Sequence, residues 1–162
     1  MKKKSFLSLF AALITASAIG LIACINEDKD MTPPDISGAD SGASPTNCQV
    51  YRPGNVIPFY CLFTDDTELG SFNIEIHGNF DHHSHSTSSV ECEEEGHEEH
   101  VDPQNPWVFN QSYNIPEGQR KFEVRLDIPI PADIDLGDYH FMLRVTDRAG
   151  WQQLKAVAIK II

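Results

Sequence analysis

The sequence predicts an all-β protein, an antiparallel sandwich of about seven strands. Three observations carry that expectation. Apolar and polar residues alternate with period two in segment after segment, most cleanly at Phe122, Val124, Leu126 and Ile128 against Lys121, Glu123, Arg125 and Asp127. Turn-forming clusters separate these segments at a spacing of roughly 8–12 residues. Beyond residue 22 no segment has a convincing helical period.

The chain opens on a leader. Lys2, Lys3 and Lys4 precede an apolar run from Phe6 to Ile22, the pattern of a secretory signal over residues 1–23. About 17 apolar residues ending at a cysteine is marginal for spanning a bilayer. Leu21-Ile22-Ala23-Cys24 resembles the lipobox of bacterial lipoproteins. That resemblance implies that Cys24 is acylated and becomes the first residue of the mature chain. Two or more acyl chains give stable attachment where one is marginal. The acidic run Asn26-Glu27-Asp28-Lys29-Asp30 resembles the surface-export signal of some Gram-negative lipoproteins. The expected location is therefore the outer membrane, facing the periplasm or the cell surface. Residues 24–46, rich in Asp, Pro, Ser and Gly, read as the acylated cysteine and a flexible linker. Residues 47–162 remain for one domain.

The strands follow in order, lettered A to G. Strand A is expected near 48–51. Ile57, Phe59, Cys61 and Phe63 share one face of strand B, near 56–64, with Pro58 suiting an edge. Phe72, Ile74 and Ile76 mark strand C, near 71–78, and Phe109, Tyr113 and Ile115 a weaker strand D, near 107–115. Strand E spans about 120–128. Tyr139, Phe141, Leu143 and Val145 define strand F, near 138–146, and Val157, Ile159 and Ile161 strand G, near 152–161. Asp135-Leu136-Gly137-Asp138-Tyr139 resembles the D-x-G-x-Y signature of immunoglobulin-like domains, whose tyrosine hydroxyl bonds back to the preceding turn. Phe141 stands where immunoglobulins carry their second core cysteine, and the tryptophan of their strand C is missing. Thr146-Asp147-Arg148-Ala149-Gly150-Trp151 resembles the hairpin before the last strand of bacterial immunoglobulin-like repeats.

These motifs, with Phe63-Thr64-Asp65-Asp66-Thr67-Glu68-Leu69-Gly70 and Asn79-Phe80-Asp81-His82-His83-Ser84-His85-Ser86, are similar to a family of bacterial lipoproteins, domain of unknown function 4625. The resemblance covers about 48–162. It implies an exported immunoglobulin-like module and brings no activity with it. The Glu-rich stretch 93–100 is longer and more acidic than that family suggests.

Composition narrows the partners. Lys2, Lys3 and Lys4 are three of 12 basic residues, so nine face 24 acidic ones beyond the leader. Nucleic acid is excluded, because phosphate binding needs a basic face. Cations suit this balance; any protein or glycan partner is left open. Cys48, Cys61 and Cys92 form an odd set in a compartment that permits disulfides, so one disulfide using Cys48 is expected. A hairpin at Arg52-Pro53-Gly54-Asn55 would set Cys61 opposite Cys48; Cys92 is the other partner.

Chemistry concentrates after strand C. Four of seven histidines, His77, His82, His83 and His85, sit within nine residues that include Asp81. Imidazole is the commonest metal-binding side chain and suits zinc and its neighbours. In an immunoglobulin-like sandwich strands C and F are antiparallel neighbours, which brings the end of C to the start of F. His77 and His140 then share an outer face. The expected site is His77 and His140 joined by ligands from Asp81, His82, His83 and His85, holding a divalent transition metal, zinc by preference. The stretch Glu91 to His100 reads as a solvated acidic tip.

No catalytic residues are assigned. No G-x-S-x-G elbow or H-E-x-x-H helix accompanies the serines and histidines. The leading expectation is a non-enzymatic, membrane-anchored metal-binding module. The alternatives are a purely structural or adhesive immunoglobulin-like domain with a polar histidine loop, and a metalloenzyme.

Overall fold

Alternating apolar residues pair into seven strands: β1 (Gln49–Tyr51), β2 (Val56–Thr64), β3 (Leu69–Gly78), β4 (Phe109–Asn114), β5 (Lys121–Pro129), β6 (Gly137–Asp147) and β7 (Gln152–Ile161). The computed structural model describes residues 29–36, 42–80, 92 and 102–162, and among them there is no helix. One sheet has the order β1-β7-β6-β3-β4 and the other pairs β2 with β5. β1 runs parallel to β7; every other pairing is antiparallel. The fold is an all-β sandwich, with β3 and β6 adjacent as expected of strands C and F.

Strand D departs from expectation. In the immunoglobulin order it belongs beside E, yet β4 pairs with β3, Ile76 opposite Phe109 and Phe72 opposite Tyr113. The Phe72 and Tyr113 rings stack at 4.8 Å, a cross-strand aromatic contact that fixes this register.

The core lies between the sheets. Ile57, Phe59, Cys61 and Phe63 of β2 face Phe72, Ile74 and Ile76 of β3 and Tyr139, Phe141, Leu143 and Val145 of β6, all buried. Phe59 stacks on Phe141 at 5.6 Å, so an aromatic pair fills the space that a second core cysteine would have bridged. Each fully buried side chain of this size stabilises by about 1.5–3 kcal/mol relative to exposure.

The D-x-G-x-Y corner forms. Gly137 has φ 134°, which favours a residue without Cβ. Tyr139, fully buried, donates its hydroxyl to the Asp135 carbonyl at 2.7 Å, and the Trp107 amide donates to that hydroxyl at 3.3 Å. Burial pushes the Tyr139 phenol up from its ordinary pKa.

Two expectations about the leading half of the chain are corrected. Residues 52–55 do not close a hairpin, because β1 pairs with β7 while β2 pairs with β5. The expected disulfide of Cys48 does form, and its partner is Cys92, with Cα atoms 5.4 Å apart, while Cys61 is a free, buried thiol. The linker also joins the body. Asp35 and Thr64 exchange backbone hydrogen bonds at 2.8 and 3.0 Å, and Ser44 and Tyr60 do so at 3.1 and 3.0 Å. Pro34 and Ile36 are buried in the process. Among the described residues β2 has only β5 as a sheet partner, so its other edge offers donors and acceptors that a passing segment satisfies.

Candidate metal centre

His77 and His140 are direct cross-strand partners on β3 and β6. Their rings lie 5.6 Å apart, centroid to centroid, and are perpendicular. Both lie on the outer face, opposite in parity to Ile76, Tyr139 and Phe141. His140 is nonetheless 2% exposed, and its outer-face neighbours Met142, Ala156 and Ala158 are buried with it. Glu75, two residues along the same face, brings Oε1 to 3.2 Å from Nδ1 of His77. The contact is an electrostatic one that sets a carboxylate beside the imidazole.

The row continues across the sheet. Ala158 is the register partner of His140, and its backbone meets Cys48 N at 2.8 Å and Asn47 Oδ1 at 2.9 Å. Cys48 carries the disulfide to Cys92. His77 and Cys48 therefore stand at the two ends of one row, roughly 15 Å apart at ordinary strand spacing. The expected ligands Asp81, His82, His83 and His85 lie outside the described residues, as does the expected lipidation site Cys24. Of the six expected metal ligands, the structure describes His77 and His140 and brings them together.

At the other end of the sandwich is a cluster that the sequence did not single out. Asp30 from the leading segment, Asp65 from the β2–β3 turn and Asp147 at the end of β6 each present a carboxylate oxygen within 4.8 Å of the others. The sequence held one signal for it: an aspartate follows a threonine at the ends of both β2 and β6, in Thr64-Asp65 and Thr146-Asp147. Nothing in the linker's composition pointed to Asp30.

Residues 22–162 match the model of a family described as domain of unknown function (DUF4625). The chain belongs to this family. No curated protein matches it. Membership in DUF4625 adds no chemistry, so the function of this member rests on its own side chains. Two imidazoles sharing a tetrahedral metal at about 2.0–2.1 Å place their ring centroids roughly 5 Å apart. The observed 5.6 Å is close to that separation.

Proposed function

We propose that the protein is an exported, non-enzymatic binding module, held at the outer membrane through acylated Cys24, that carries a transition-metal site built on His77 and His140. The observation that carries the reading is the direct pairing of these two histidines, with perpendicular rings 5.6 Å apart and a glutamate against one of them. Two nitrogen ligands on adjacent rigid strands are a pre-organised half of a four-coordinate zinc site. Asp81, His82, His83 and His85 follow β3 directly in sequence and are the proposed source of the remaining ligands. The Cys48–Cys92 disulfide suits an oxidising compartment outside the cytoplasm.

The test is zinc binding by the purified chain across pH. Only neutral imidazole binds metal, so affinity should fall on acidification. His77→Ala and His140→Asn should each weaken binding at least tenfold, while His97→Ala and His100→Ala should do so less. Unchanged zinc affinity in both strand variants would leave a structural or adhesive domain as the better reading.

A further inference from the structure

We infer that Asp30, Asp65 and Asp147 form a calcium site, separate from the histidine row, that fastens the leading segment to the body of the domain. Asp147 is the register partner of Leu69, at the start of β3, while His77 lies eight residues further along that strand. The two sites are thus roughly 25 Å apart along the sheet.

Each carboxylate is held by one oxygen. Asp30 Oδ1 accepts from Thr32 N at 3.0 Å. Asp65 Oδ1 accepts from Thr67 N at 2.9 Å and Glu68 N at 2.6 Å. Asp147 Oδ1 accepts from Gly150 N at 2.6 Å and Trp151 N at 2.8 Å. The second oxygen, Oδ2, is buried in all three and meets no hydrogen-bond donor among the described residues. Asp147 as a residue is 4% exposed. A buried carboxylate oxygen without a donor is costly, and more so beside two further carboxylates.

Among the described residues no lysine or arginine pairs with any of the three; Arg148 bridges to Glu68 and Glu117, and Arg120 bonds the Asp66 carbonyl. Burial, then the neighbouring Asp65 and Asp30 charges, push the Asp147 carboxyl above its ordinary pKa, against the pull of its two backbone donors. A bound cation would supply the compensating charge.

The donor set selects the cation. It is all carboxylate oxygen, which suits hard ions over zinc or copper. Calcium takes oxygen ligands at about 2.3–2.6 Å in flexible geometry, whereas magnesium demands a near-ideal octahedron and gives up its waters reluctantly. Three oxygens within 4.8 Å of one another fit the calcium sphere, with water completing it. The ion ties together three segments distant in sequence. Asp30 is also held by its carbonyl, which accepts from Trp151 Nε1 at 3.0 Å, so the aspartate is aimed before the ion arrives. Pro34 and Ile36, buried just beyond it, ride on the same attachment.

The test is calcium alone, titrated against the purified full-length chain in detergent after treatment with a chelator. The expected result is a melting midpoint several degrees higher in millimolar calcium, with little response to equal magnesium. Protection of residues 29–36 from protease should be gained with calcium and lost with chelator. Asp147→Asn keeps an oxygen for the Gly150 and Trp151 amides, and Asp30→Asn lies outside the sheets, so both should fold. Each should weaken calcium binding at least tenfold and leave zinc affinity unchanged; His77→Ala should do the reverse. If calcium leaves the native midpoint and the protease pattern unmoved, or Asp30→Asn binds calcium like the native chain, the site does not exist, whatever the outcome with zinc.

Discussion

Tyr139→Phe isolates the corner that locks β6 against the preceding turn. The ring stays, so packing against Trp107 at 6.3 Å and Phe80 at 5.4 Å is preserved. Two hydrogen bonds go: the 2.7 Å donation to Asp135 O and the 3.3 Å acceptance from Trp107 N. Each is worth about 1 kcal/mol net, so the loss should be about 2 kcal/mol. For a domain of this size that is a fall of roughly 6–12 °C in melting midpoint. Urea denaturation should show a lower midpoint with an unchanged slope, the mark of lost stability in an unaltered fold. Tyr113→Phe is the control, because that hydroxyl donates only to Gln111 Oε1 at 3.0 Å near the surface, and should cost less than about 0.5 kcal/mol. A Tyr139→Phe protein that melts with the native one would refute the corner as a stabilising device.

Reduction of the Cys48–Cys92 disulfide, or Cys92→Ser, opens a constraint across a sequence separation of 44 and should cost about 2–4 kcal/mol in denaturant titrations; equal midpoints with and without reductant would count against the pairing. Burial pushes the Cys61 thiol up to about 11, so the fold holds its neutral form. Stability from this group should be intact below its ordinary value of 9.0 and lost as pH rises toward about 11, by about 2–3 kcal/mol, a slope absent from Cys61→Ala. Gly70→Ala would set a Cβ 2.9 Å from the Asp147 carbonyl and 3.0 Å from that of Thr146, so a loss of at least about 1 kcal/mol should appear in thermal melts. Cys24→Ser should release the protein from membranes or leave it as precursor; unchanged fractionation and mass would remove the anchor.

The sequence by itself determined the strands, the tyrosine corner and the meeting of His77 with His140. The strands follow from a period-two alternation that local residues spell out, the corner from its D-x-G-x-Y motif, and the meeting of the histidines from the adjacency of strands C and F that the immunoglobulin-like resemblance implies. Once Ile76 and Phe141 must face the core, parity turns their neighbours His77 and His140 to the outer face, and the antiparallel pairing of β3 with β6 sets them opposite each other. Only the tertiary structure decided which sheet takes β4, which cysteine meets Cys48, and that Pro34 and Ile36 leave the linker for the body. The same holds for the convergence of Asp30, Asp65 and Asp147. Each of these depends on which edge of a finished sheet stands open and which turns share one end of the sandwich. Those are properties of chain segments far apart in sequence, and alternation within any one strand does not encode them.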